Sequence, residues 1–154
     1  MPPVNTFPLH LRFGDEDSYG HVNNVRFLQF LEDARVHLMS GSRPGGSFME
    51  LIDPDHYTLV GRQEIEYRAP LNFSTRPAAV DLWVTSVGGS SFVLDYAVQE
   101  EDGSGVYAVA QTVVVVIDRS SGRPVRLDDT QRGLLEQWQD APTRFARRPA
   151  PAEA

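Results

Sequence analysis

The sequence contains no cysteine and no lysine, and it has no long uninterrupted apolar run. The absence of cysteine excludes disulfides, thiolate metal sites and a cysteine nucleophile. A membrane-spanning helix needs about 20 mostly apolar residues, and nothing in the chain approaches that, so the protein is expected to be soluble, with no membrane partner. The opening Met1 to Thr6 lacks the basic stretch and apolar core of a secretory signal, and the expected location is the cytoplasm. All 14 basic residues are arginine. Together with the many Ala and Pro residues this fits the codon usage of a GC-rich genome, although arginine also suits bidentate contacts to phosphate. A net charge of −7 disfavours nucleic acid as a partner, because such binding rests on clustered basic side chains.

What is present is enough for one domain. A chain of 154 residues buries most of its unfolded surface around a single core. Residues 1–140 are read as that domain, and 141–154, rich in Pro and Arg, as a disordered tail. Phe7 to Phe13 alternates apolar and polar residues like a half-buried strand. After the polar turn Gly14 to Gly20, the spacing of Phe27, Leu28, Leu31, Ala34 and Leu38 predicts a helix from about Asn23 to Met39. Phe48 to Ile52 suits a short helical turn before Pro54. Four strand-like runs follow, near Tyr57 to Arg68, Val80 to Val87, Phe92 to Gln99 and Val106 to Ile117. The run Val113 to Ile117 is continuously apolar, which predicts a central strand covered on both faces. Leu127 to Gln139 reads as a last amphipathic helix, capped by Asp128 or Asp129 with Leu134, Leu135 and Trp138 facing inward. This order describes an α+β protein, an antiparallel sheet wrapped around one apolar helix.

The segment Phe13-Gly14-Asp15-Glu16-Asp17-Ser18-Tyr19-Gly20-His21-Val22-Asn23-Asn24-Val25-Arg26-Phe27-Leu28, continued by Glu32-Asp33-Ala34-Arg35, resembles the opening motif of the 4-hydroxybenzoyl-CoA thioesterase-like family. Ile65 to Leu71, Ser90 to Phe92 and Thr112 to Asp118 are similar to its later strands, mostly by hydrophobic pattern. The resemblance implies a hotdog fold with a five-stranded antiparallel sheet around one long central helix. It also implies hydrolysis of acyl-CoA or acyl-carrier-protein thioesters, no cofactor or metal, and active sites built across a dimer interface. It places the catalytic aspartate on Asp17. His21 and Glu32 coincide with residues that contribute to catalysis in the plant acyl-carrier-protein thioesterases, whereas Tyr19 departs from the catalytic asparagine of that branch.

Elementary chemistry points to the same segment. A thioester carbonyl needs a nucleophile or activated water at its carbon and hydrogen-bond donors where charge develops on its oxygen. A turn entering a buried helix supplies both: Asp17 faces the carbon, and the unpaired backbone N–H groups from Val22 to Asn24 polarise the oxygen. Gly20 lets the backbone approach the ligand closely, and Tyr19, Val22 and Asn23 complete the candidate binding set. For the phosphates of a nucleotide carrier, Arg68 and Arg76, with Arg62 nearby, are the candidate cations. Each residue also has a structural reading. Asp17 and Asp15 suit turns and caps, Asn23 and Asn24 suit helix caps, His21 suits a structural hydrogen bond, and Glu32 and Arg35, three apart, can pair with each other. The spacing of Asp15, Asp17 and Tyr19 resembles a calcium loop, but its twelfth position is Arg26 where a bidentate glutamate is required.

Two other functions compete. A hotdog hydratase or dehydratase typically places its histidine five residues after the aspartate, but His21 follows Asp17 by four. A non-catalytic acyl-CoA sensor that reads DNA should carry a helix-turn-helix and a basic patch, and this chain has neither. A five-stranded sheet around one helix leaves an edge and a face to cover, so a homodimer or homotetramer is expected.

Overall fold

The computed structural model describes residues 5–41 and 47–146. Five strands form one antiparallel sheet in the order β1-β3-β4-β5-β2. The strands are β1 Asn5–Leu9, β2 His56–Tyr67, β3 Ala78–Val87, β4 Ser91–Glu100 and β5 Val106–Asp118. The helices are α1 Asn24–Ser40 and α2 Asp129–Glu136. None of the described helices is long and apolar enough to cross a membrane.

The three-and-four spacing turns Phe27, Phe30, Leu31, Ala34 and Leu38 of α1 onto the concave face of the sheet. There they meet Val80, Leu82 and Val84 of β3, Phe92, Leu94, Tyr96 and Val98 of β4, and Ala108, Ala110, Val114 and Val116 of β5. This is the hotdog arrangement, a sheet wrapped around one long helix. A 3₁₀ turn, Phe48–Leu51, brings Phe48 edge-on to Phe92 at 5.1 Å between ring centroids. Helix α2 adds Leu134, Leu135 and Trp138 to the same core. It is capped by Asp128, whose Oδ1 accepts from Gln131 N while Gln131 Oε1 accepts from Asp128 N.

Three expectations change. The strand expected over 7–13 ends at Leu9. Its partner β3 begins at Ala78, which pairs with Leu9, and Pro77 before it has no N–H to extend the ladder. Beyond that point the Asp15 carboxylate captures the Arg12 N–H at 2.8 Å, and Phe13–Asp15 closes into a 3₁₀ turn. Strand β5 is central, between β4 and β2, but its outer face is covered only in part: Val114 and Val116 on the inner face are buried, whereas on the outer face Val113 and Val115 are half-buried and Ile117 is buried. The chain after α2 is bound further than expected. Residues 138–140 bridge the free edge of β3 through Val84 N to Trp138 O and Asp140 N to Val84 O. Residues 141–146 then cross the outer face of the sheet, tied by side chains of β3, β4 and β2. The remainder of the expected tail, 147–154, lies outside the described residues.

Candidate active site

The motif folds as a closed turn leading into α1. Glu16 and Val22 form an antiparallel bridge, and Asp17 N donates to His21 O at 2.9 Å. Between them Asp17 Oδ1 accepts from Tyr19 N at 2.9 Å, and Gly20 N reaches back to Asp17 O at 3.1 Å. Gly20 sits at φ 79°, a conformation a side chain disfavours, so this glycine shapes the turn. Two further bonds anchor it. Glu16 Oε1 accepts from Phe73 N at 2.6 Å, and Val22 N donates to Leu71 O at 2.7 Å.

The first turn of α1 distributes its N–H groups unequally. Asn23 is the N-cap, with Oδ1 accepting from Val25 N at 3.0 Å. The Val22 and Asn23 N–H groups, expected to be free, are spent on the carbonyls of Leu71 and Asp15. Among the described residues the Asn24 N–H donates to no protein group. The oxyanion-binding stretch expected over three residues thus contracts to one backbone donor. Tyr67 holds this turn from β2: its hydroxyl donates to Asn24 O at 2.9 Å, and its ring meets Phe27 edge-on at 5.3 Å. Burial pushes the Tyr67 phenol up, which keeps the hydroxyl protonated as a donor.

A cavity of about 450 Å³ opens beside this turn, and its walls include Asp17, Tyr19, His21, Val22, Asn24 and Arg68. Six of the expected site residues therefore converge. Asp17 is half-buried, and among the described residues its Oδ2 accepts from no protein group. One carboxylate oxygen is committed to the turn and the other is available to a ligand. Phe27, Tyr67, Ala69, Pro70 and Leu71 supply the apolar remainder of the wall. Sequence reasoning did not select them for the site. Phe27 lies on the helix face below Asn24, three residues on, and Tyr67 to Leu71 closes the second motif.

The other candidates lie elsewhere. Gly20 acts through its backbone as turn former, and Asn23 caps α1 with its side-chain Oδ1. Asp15 is buried and structural: it caps the 3₁₀ turn and stands 3.9 Å from Arg26. Glu32 is eight residues down the helix from Asn24, about 12 Å along its axis. It borders a separate cleft between α1 and β2, 3.8 Å from Arg35, and the expected pairing of these two residues is present. Arg35 is itself buried and donates to Tyr96 Oη at 3.3 Å. Arg76 lines another cleft, with Glu100 and Tyr107. Arg62 pairs with Glu64 at 3.7 Å. Of the three arginines considered for a carrier phosphate, only Arg68 borders the cavity.

Comparison with known proteins identifies the family and the fold. Residues 11–137 match the model of the thioesterase-like superfamily. The chain is 31% identical over 121 residues to the long-chain acyl-CoA thioesterase FadM of Escherichia coli, covering 79% of this chain and 89% of that one. The structure superposes on the PA5185 protein of Pseudomonas aeruginosa with a TM-score of 0.76 at 27% identity, covering 91% of this chain and 94% of that one. It superposes on a Thermus thermophilus thioesterase solved with coenzyme A and zinc with a TM-score of 0.70 at 26% identity, covering 90% and 96%. From the sheet wrapped around one long helix and a family match over residues 11–137, the chain belongs to the thioesterase-like superfamily, as a hotdog-fold thioester hydrolase.

Proposed function

We propose that this protein hydrolyses an acyl-CoA thioester, or the equivalent acyl-carrier-protein thioester, with Asp17 as general base or nucleophile. One observation carries the reading. Asp17, whose Oδ2 has no partner among the described residues, and Asn24, whose N–H has none among them, line the same cavity at the entry to α1. In the general-base route Asp17 takes a proton from water as its oxygen attacks the thioester carbon. Charge then gathers on the carbonyl oxygen, where the Asn24 N–H and the positive end of α1 stabilise it. Collapse breaks the carbon–sulfur bond, giving the free acid and a thiolate that recovers the proton. In the nucleophilic route Asp17 forms a mixed anhydride with the acyl group and expels the thiolate, and water hydrolyses the anhydride. His21, exposed on the same wall, is placed to orient the substrate or return the proton to sulfur. Glu32 stands apart from these groups and takes no part in the step.

The same reading makes the protein a cytoplasmic homodimer or homotetramer. Strand β2 is an outer strand of the sheet with a free edge 12 residues long. Beside it Val36 and Leu59 are about half exposed and Val25 is 65% exposed, a combination that favours pairing with a second copy. The outer strand at the other side, β1, has five residues and contains Pro8.

The deciding experiment incubates the purified protein with a series of acyl-CoAs and acyl-carrier proteins of different chain length and follows thiol release. Turnover above the uncatalysed rate is expected for at least one substrate. Tight binding without turnover would favour the sensor reading. Water addition to an enoyl thioester without thiol release would favour the hydratase reading.

A further inference from the structure

The described part of the segment after α2 reaches the candidate active site. Asp95 lies on the outer face of β4, between the core-facing Leu94 and Tyr96, yet it is completely buried. Its Oδ1 accepts from Thr85 Oγ1 and Gln111 Nε2, at 3.1 and 3.0 Å, and its Oδ2 accepts from Thr143 N at 2.7 Å. The segment is anchored before this point by Trp83 Nε1, which donates to Ala141 O at 2.9 Å, and after it by Glu66 Oε2, which accepts from Ala146 N at 2.8 Å. It thus crosses from β3 over β4 to β2, held by a ring N–H and two carboxylates. Between these anchors it also meets Arg68. The Arg68 Nη2 donates to Arg144 O at 2.7 Å, and Nε donates to Glu66 Oε1 at 2.9 Å. The same Arg68 borders the Asp17 cavity.

We propose that residues 141–146 form a positioning strap that holds Arg68 at the mouth of the cavity to grip a phosphate on the substrate's thiol carrier. This inference rests on the thioesterase reading and extends it to the carrier end of the substrate. An arginine at a protein surface ordinarily samples many rotamers, and ordering it at the moment of binding has an entropic cost. Here two of its nitrogens are already engaged, one by a backbone carbonyl and one by a carboxylate, so that cost is met in the folded protein. The hydrogen bond from Arg68, with that from the Ala146 N–H, holds the Glu66 carboxyl below its ordinary range. The strap is therefore a positioning element, and Arg68 is the residue that touches the substrate. Coenzyme A and the prosthetic arm of a carrier protein both carry phosphate next to pantetheine, and either satisfies this chemistry.

The test compares the full chain, the chain ending at Asp140, Arg68→Ala, and the two changes combined. Binding of coenzyme A is measured by calorimetry, and KM is measured for acyl-CoA, acyl-carrier protein and the acyl-N-acetylcysteamine thioester, which has no phosphate. Losing a charge-assisted contact is expected to weaken coenzyme A binding about tenfold. The preference for phosphate-bearing substrates over the N-acetylcysteamine thioester should fall by a similar factor. The truncation and Arg68→Ala should not multiply, because they remove the same contact. A larger loss for acyl-CoA than for acyl-carrier protein assigns the phosphate to the nucleotide, and equal losses assign it to the pantetheine arm. If truncation prevents folding, Thr143→Pro, which removes the N–H given to Asp95 and leaves the rest of the chain in place, replaces it. Unchanged coenzyme A affinity, equal loss on all three substrates, or multiplying effects would overturn the proposal. Absence of hydrolysis with intact, strap-dependent coenzyme A binding would overturn the thioesterase reading alone.

Discussion

Asp17→Asn separates chemistry from architecture because the two oxygens of this carboxylate do different work. Oδ1 accepts from Tyr19 N at 2.9 Å, and the asparagine carbonyl accepts the same bond. Oδ2 has no described protein partner, so replacing it by an amide disturbs no internal hydrogen bond. The structural cost should stay below about 1 kcal/mol, a melting shift of no more than about 2–4 °C for a chain of this size. The chemical cost is much larger. An amide neither takes a proton from water nor attacks a carbonyl, and loss of a positioned base lowers kcat by at least about 100-fold, or about 2.7 kcal/mol of barrier. Asp15→Asn is the reciprocal control. Asp15 is buried, accepts from Arg12 N at 2.8 Å and faces Arg26 at 3.9 Å. Its amide would place a donor against a guanidinium, costing about 1–2 kcal/mol of stability with little effect on turnover. Steady-state thiol release and thermal melts on both variants read the contrast. Turnover of Asp17→Asn within about threefold of the unmodified protein, less than about 1 kcal/mol in barrier, would refute the assignment.

Other outcomes follow from the same structure. Light scattering at micromolar concentration should give at least a dimer, and Leu59→Asp on the free edge of β2 should shift it toward monomer; a strictly monomeric unmodified protein would remove the dimer from the proposal. Chelator treatment should leave hydrolysis intact, because among the described residues no three His, Asp or Glu side chains converge as metal ligands; loss of activity with rescue by a divalent ion would contradict this. Asp118 is held down to about 2, most strongly by hydrogen bonds from Ser121 and Ser120. A lowered folded-state value means that its contribution to stability is full above the unfolded value near 3.8 and disappears as pH falls toward about 2. Asp118→Asn should therefore flatten the pH dependence of the melting temperature across that window, and an unchanged slope would refute the link.

Much of this was legible from residue order alone, because local rules govern it. The three-and-four spacing from Phe27 to Leu38 is enough to place α1, since any other conformation scatters those side chains away from a common core. Asp128 is one of the two acids that the sequence offers as the cap of α2, and the motif from Phe13 to Leu28 singles out Asp17 as a candidate because a turn and the helix start that follows are contiguous in the chain. Other features depended on partners distant in sequence. Strand β1 stops at Leu9 because β3 begins after Pro77, a limit that its own alternation does not contain. The Val22 N–H is unavailable to a substrate because Leu71, 49 residues further on, supplies its acceptor. Arg68 and Arg76 are alike in composition and setting along the chain, yet the loop between β2 and β3 turns one toward Asp17 and the other toward Glu100 and Tyr107. The Pro- and Arg-rich end reads as a tail because it carries little apolar material. It is held instead by backbone N–H and C=O groups that meet Asp95, Glu66 and Arg68, and only the assembled sheet brings those side chains to its path.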